Sequence, residues 1–296
     1  MGKSQHLFPS FCAGLVACAA LFVGPVRAVQ AEASAWVGDP RGEVRLITAA
    51  NSVHGKTLQA GLEFRYPPGW HGYWRTPGDT GIAPTLDWAA SVNLRSAAIA
   101  WPAPSRLVVS GLQNGVYTGD VVLPLLLQVD EANTQTRLSV ALDYASCSNV
   151  CVPLHADLSL VLPGGPGGAS AEADAIAKAW TLVPGTPSAA GIEILRNALL
   201  GSGQHRRLLV QLHSDTLPFL APDLFVEGAG NGLPPAPVVQ RSHHGQDVEL
   251  AVALPSSGAA VRSTPLRLTI VDGTRAAEFS GPAAAGNAVS AANRSP

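Results

Sequence analysis

Two cysteines, Cys147 and Cys151, stand with three residues between them in the stretch Asp143-Tyr144-Ala145-Ser146-Cys147-Ser148-Asn149-Val150-Cys151-Val152-Pro153. Sulfurs so spaced can do three things. They can close a structural disulfide, because a turn can bring two Cα atoms within the ~4.4–6.8 Å that the bond requires. They can pass between dithiol and disulfide by exchange with another protein's thiols. Reduced, they form a pair of soft thiolates that suits Cu(I), and His155, four residues beyond Cys151, offers a nitrogen to the same set. His155 also reads as a solvated polar residue at the start of a strand. The chain-entropy model bears on the first reading. A closed loop of about five residues stabilises by only ~2 kcal/mol, against ~4.7 for a hundred-residue loop. The pair is poorly sited for stabilisation and well sited for accessible chemistry at a loop tip. It is not the thioredoxin motif, which has two intervening residues and opens a helix in a βαβ setting.

Little else in the chain suggests chemistry. There is no Gly-x-Ser-x-Gly elbow, no phosphate-cradling Gly-rich loop ending in Lys, and no dinucleotide fingerprint. His243-His244 is a lone pair in a polar loop, and Asp79 in Pro77-Gly78-Asp79-Thr80-Gly81 reads as a turn residue. The net charge is −2 and charged residues make up 14%, with no basic patch for nucleic acid or an anionic membrane. No cofactor is implied.

The elements that must position the cysteines are strands. With 24 prolines, 30 glycines and 47% hydrophobic residues, the 296-residue chain favours many short strands and two ordinary-sized cores. Leu58, Ala60, Leu62 and Phe64 alternate with polar residues, as do Leu138, Val140, Leu142 and Tyr144, and then Leu158, Leu160 and Leu162. A period of two marks a half-buried strand. The cysteines fall between the last two of these, at a hairpin end. Glu43–Ala49, Ser96–Trp101 and Asp120–Val129 are further strands, with Pro124 expected at an edge or a bulge. The Pro-Gly-Gly-Pro-Gly-Gly-Ala-Ser run at residues 163–170 is a linker, and Ser170 is expected to cap a helix over Ala171–Trp180. Arg207–Leu212, Asp247–Leu254 and Leu266–Val271 alternate again. The expected fold is all-β: a β-sandwich over residues 34–163, a linker and short helix over 164–190, and a second, smaller sandwich-like β domain over 191–282. Residues 283–296 read as a disordered tail.

Residues 1–31 read as a secretory signal: Lys3, an apolar stretch from Leu7 to Val23, and small residues for cleavage after Ala28 or Ala31. Its removal takes Cys12 and Cys18 with it and leaves an even count in a disulfide-permissive compartment. Leu15-Val16-Ala17-Cys18 resembles a lipoprotein cleavage box, the minor alternative.

The motifs as a set are recognisable. Cys147-Ser148-Asn149-Val150-Cys151-Val152-Pro153 with Ala156-Asp157-Leu158-Ser159-Leu160 resembles the end of the N-terminal domain of the DsbD family of thiol:disulfide interchange proteins, and most the ScsB (suppressor of copper sensitivity) type. Gly69-Trp70-His71-Gly72-Tyr73-Trp74-Arg75-Thr76-Pro77-Gly78-Asp79-Thr80-Gly81-Ile82, Trp101-Pro102-Ala103-Pro104 and Tyr117-Thr118-Gly119-Asp120-Val121-Val122-Leu123-Pro124 are similar to further signatures of that group. The resemblance implies an immunoglobulin-like sandwich in the periplasm. It implies that Cys147 and Cys151 are a redox pair relaying electrons from a membrane-embedded thiol reductase to periplasmic thioredoxin-like proteins. A copper association also comes with the ScsB type. His71, Tyr73 and Trp74 are candidates to pack around the pair, with core or turn packing as the plainer alternative. Asp143 and Asp157 would not lower a thiol pKa, so activation must come from groups that folding brings near. Family members continue into a transmembrane domain and often a thioredoxin-like one. This sequence runs to Pro296 without either, so a separate membrane protein, a relic used otherwise, or a longer reading frame are all open.

Overall fold

The period-two stretches fold as strands whose apolar rows meet across two pairs of sheets. The computed structural model describes residues 1–2, 32–201, 203–230, 232–254, 265–283 and 289–290. Apart from residues 1–2, the expected signal segment and its alternative at Cys18 lie outside the described residues.

The first sandwich comprises β1 (Val37–Asp39), β2 (Gly42–Thr48), β3 (Thr57–Arg65), β4 (His71–Gly78), β5 (Thr85–Asp87), β6 (Leu94–Ile99), β7 (Ser105–Val109), β8 (Leu112–Thr118), β9 (Asp120–Val129), β10 (Thr136–Cys147) and β11 (Cys151–Leu162). One sheet runs β1-β2-β3-β9-β6. The other runs β11-β10-β4-β8-β7, with β5 also on β10. All pairs are antiparallel, and the architecture is immunoglobulin-like. Along β11 the buried residues Ala156, Leu158, Leu160 and Leu162 alternate with exposed ones, and they meet Leu46, Leu62, Leu123 and Leu125 in one core. Each fully buried Leu contributes roughly 1.5–3 kcal/mol.

Pro124 is neither at an edge nor at a bulge, contrary to expectation. Its strand β9 lies between β3 and β6. The carbonyl of Pro124 accepts from Ala100 N (2.8 Å), on the side where β6 has already ended at Ile99. A residue's N–H and C=O point to the same side of its strand, so the missing N–H falls at the end of β6, where the ladder with it stops.

The Gly/Pro run is bound to the first sandwich: Val53 N donates to Pro163 O (2.8 Å), Gly165 N to Val53 O (3.0 Å) and Ser170 N to Ala49 O (3.0 Å). The helix α1 spans Ala173–Thr181 rather than Ala171–Trp180, with Glu172 as N-cap residue. Ser170 does not cap it from the expected position. Its hydroxyl donates to Thr48 O and accepts from Glu172 N, tying the approach to the helix back to β2.

The second sandwich contains β12 (Glu193–Leu200), β13 (Arg207–His213), β14 (Asp223–Glu227), β15 (Val238–Ser242), β16 (Asp247–Ala253), β17 (Pro265–Asp272), β18 (Arg275–Ala283) and β19 (Val289–Ser290). Its sheets run β15-β16-β13-β12-β19 and β14-β17-β18 around Leu208, Val210, Leu250, Leu268 and Ile270. The tail expected from residue 283 differs at two places. Ala283 belongs to β18, and Val289–Ser290 pair with Arg196 and Asn197.

Candidate functional site

The site sits at the tip of the longest hairpin. The register of β10 on β11 runs unbroken from Thr136 opposite Leu162 to Cys147 opposite Cys151. The cysteines are the last paired residues, and Ser148-Asn149-Val150 is the turn, closed by Ser148 N donating to Val150 O (3.0 Å). Cys147 and Cys151 form a disulfide with Cα atoms 4.1 Å apart. That is a little under the usual disulfide range, as the close spacing of a non-hydrogen-bonded cross-strand pair allows.

The two sulfurs differ in their surroundings. Cys147 is 1% exposed and packs with Tyr73, Val116, Ala145 and Leu107 on the outer face of the sheet. Cys151 begins the edge strand β11 and is exposed. Strand β4 lines the pair from the other side. His71 is directly opposite Cys147 in the ladder, where Cβ atoms stand about 4.5–5.5 Å apart. The Tyr73 hydroxyl lies 3.4 Å from Cys151 Sγ. A disulfide sulfur carries no hydrogen, so the tyrosine O–H is the donor.

The imidazole of His71 stands edge-on to the Tyr73 ring, with centroids 5.3 Å apart. Burial pushes the His71 pKa down, so the ring is neutral near pH 7 and places no cation on the pair. Burial pushes the Tyr73 phenol up, opposed by its hydrogen bond with Thr80, and this keeps it a protonated donor. Gly81 is needed here: a Cβ on residue 81 would collide with the Tyr73 ring. The Gly69–Ile82 stretch therefore supplies both the tyrosine and the space it occupies.

Beside the disulfide opens a cleft of about 890 Å³ lined by Pro67, Trp70, His71, Leu107, Val109 and Asn149, among others. Val109 at its wall is 51% exposed and Val150 in the turn 62% exposed. Leu107 and Val109 were not singled out by sequence. Strand β7 that bears them is short and its periodicity is weak, and only the pairing of β7 with β8 carries it to the cysteine end.

Two candidate residues lie elsewhere. Trp74 does not pack around the pair. It follows Tyr73 on a strand, so it faces the opposite side, where it is fully buried and stands edge-on to Phe225 of the second sandwich at 5.6 Å. His155 is not a partner of the cysteines. It lies four residues along β11 from Cys151, about 13 Å at ~3.3 Å per residue. Its ring bonds Asp143 (2.7 Å) and Asp157 (3.3 Å) instead. Those carboxylates push its pKa up, the hydrogen bond with Asp143 first. Among the described residues, no group of three His, Cys, Asp or Glu side chains could hold a metal ion.

Comparison with known proteins agrees with this geometry. Residues 43–163 match the family model for the N-terminal domain of the thiol:disulfide interchange protein DsbD. Residues 182–286 match a domain of unknown function, DUF8393. No curated protein matches the chain by sequence. The crystal structure of the N-terminal periplasmic domain of ScsB from Proteus mirabilis is similar, with a TM-score of 0.67 and 23% identity over 86% of this chain and 99% of that one. At that identity the likeness is one of fold, and its extent takes in both sandwiches. No helix among the described residues is long and apolar enough to cross a membrane.

Proposed function

Because residues 43–163 belong to the DsbD N-terminal family, we propose that this protein is a periplasmic thiol–disulfide exchange module. It takes electrons from a membrane-embedded thiol reductase and passes them to thioredoxin-like proteins of the periplasm. The relay is the Cys147–Cys151 couple.

One observation carries this reading: Cys151 is exposed while its partner Cys147 is sealed at 1% exposure. Exchange requires in-line attack of a thiolate on a reachable sulfur. The reductase's thiolate attacks Cys151 Sγ, the Cys147–Cys151 bond breaks, and Cys147 leaves as thiolate. The reductase's second thiolate then attacks its own sulfur in the mixed disulfide and releases Cys151. The reductase ends oxidised by two electrons and this protein reduced. In the onward step the Cys151 thiolate attacks the thioredoxin-like disulfide. Cys147, adjacent and shielded from strangers, resolves the mixed disulfide. The Tyr73 hydroxyl, 3.4 Å from Cys151 Sγ, is placed to donate to the thiolate each time it forms.

The test is trapping. In the Cys147→Ser variant the free Cys151 should accumulate mixed disulfides with thioredoxin-like partners, whereas Cys151→Ser, with only the sealed sulfur, should trap far less. Equal absence of adducts from both variants under exchange conditions would overturn the proposal.

A further inference from the structure

Strand β4 is held in two different ways along its length. Its pairing with β8 runs His71 opposite Thr118, Gly72 opposite Tyr117 and Tyr73 opposite Val116, and then breaks, resuming only at Gly78 opposite Asn114. On its other side the one ladder pair is His71 opposite Cys147. The regular ladder therefore breaks at the residue that touches Cys151, and the four residues after it form an irregular bulge within β4.

The second sandwich holds those residues. The Arg75 guanidinium donates to both carboxylate oxygens of Glu227 (3.0 and 2.6 Å) and also to Glu278. The Thr76 hydroxyl donates to the same Glu227. Trp74 stands edge-on to Phe225, and the Arg75 guanidinium lies over the Trp74 ring at 4.4 Å. Arg75 and Glu227 keep only 16% and 13% of their side-chain surface exposed. A planar guanidinium gripped by two carboxylates fixes position as well as charge.

Resting on the exchange reading, we propose that the second sandwich is a positioning element for the redox pair. Glu227 and Glu278, through Arg75, hold the segment after Tyr73 and so keep the Tyr73 hydroxyl on Cys151 Sγ. Arg75 and Glu227 are positioning residues: neither touches a sulfur. A hydroxyl held at that distance stabilises the Cys151 thiolate, and through it the reduced state. Loosening the segment raises the thiol pKa and favours the disulfide.

The test uses the full chain and reads the Cys151 thiolate directly, from the pH dependence of its alkylation in the reduced protein. A glutathione equilibrium read by thiol trapping accompanies it. Tyr73→Phe should lower the thiol's acid dissociation constant by about tenfold, the scale of one hydrogen bond to a charged group. Glu227→Gln should shift it in the same direction by less, about threefold, and should add nothing to Tyr73→Phe in the double variant. The milder Glu278→Gln, which leaves one carboxylate on Arg75, should show the same sign if Glu227→Gln disturbs folding. Asp223→Asn serves as control: it breaks the Arg106–Asp223 pair (2.8 Å) at the same interface without touching the segment after Tyr73, and should leave the thiolate unchanged. The proposal is overturned if the Glu227 and Glu278 variants leave pKa and equilibrium unchanged, if the double variant is additive, or if Asp223→Asn acts as strongly. Failure of the exchange reading would show instead as absent mixed disulfides in Cys147→Ser, whatever the thiolate titration gives.

Discussion

Two hairpin ends, one in each sandwich, close in different ways. In the second sandwich β17 turns into β18 with Asp272 opposite Arg275 and Gly273 in the left-handed conformation. Asp272 accepts from Leu220 N (3.1 Å), Ala221 N (2.8 Å) and Arg275 Nη2 (2.8 Å). Arg275 also donates to Ser214 Oγ and Leu217 O and lies over the Phe219 ring. Both carboxylate oxygens are occupied and both side chains are covered, at 5% and 12% exposure. In the first sandwich β10 turns into β11 with a covalent bond between a buried cysteine, Cys147, and an exposed one, Cys151, whose sulfur has the Tyr73 hydroxyl on it. The noncovalent closure commits all of its groups to the fold. The covalent one leaves one of its two residues exposed to solvent. A disulfide that spans about five residues adds little stability, so strength of bond and contribution to stability part company here.

That contrast can be broken by measuring both ends. The largest effect should come from Asp272→Ala. It strands a covered guanidinium and two backbone N–H groups, and should cost about 3–5 kcal/mol in urea-induced unfolding. The Cys147→Ser/Cys151→Ser double variant should cost less, about 2 kcal/mol, and leave the far-ultraviolet circular dichroism unchanged. If losing the disulfide costs more than losing Asp272, the hairpin tip is a staple and the functional contrast fails.

Two histidines sharpen the comparison at smaller amplitude. His213 in the second sandwich sits between Asp215 and Asp247, and hydrogen bonds to them, Asp215 first, push its pKa up. Its partner Asp247 is held low, first by His213 and then by His243. A raised histidine contributes stability that is full below its unfolded value, about pH 6.5, and is lost as pH rises through the folded one. Unfolding midpoints should therefore decline across neutrality, and His213→Gln should flatten that decline. Asp247, whose pKa is lowered, works the other way: its contribution is present above the unfolded carboxylate value and lost as pH falls through the folded one. His155 in the first sandwich has two carboxylates as well, but its side chain is 53% exposed, so His155→Ala should leave the midpoint nearly unchanged, as exposed pairs do.

Much of the fold was legible because alternation is a local signal. The rows Leu138-Val140-Leu142-Tyr144 and Leu158-Leu160-Leu162 predict the two strands of the cysteine hairpin, and the hairpin runs on until the cysteines themselves are paired. His71 and Tyr73, candidates to pack around the pair, lie beside it. Trp74 did not, because adjacent strand residues face opposite sides and a motif does not say which side is which. His155, offered only as an alternative ligand beside the sulfurs, lies away from them because closeness in sequence along an extended strand is distance in space. Pro124 misled because whether a missing N–H matters depends on where the neighbouring strand stops, and that neighbour is about 25 residues away in the chain.

By itself the sequence determined that this is a β-rich chain of two sandwiches with one close cysteine pair at a hairpin tip. Alternation and turn residues act over a few positions, and those positions are adjacent in the text of the chain. The tertiary structure decided which sulfur is reachable, which hydroxyl attends it, and that the second sandwich grips the strand beside it through Arg75 and Glu227, 152 residues apart. Those depend on sheet order and on the packing of distant strands, where exposure and contact are properties of the assembled surface and belong to no local stretch of residues.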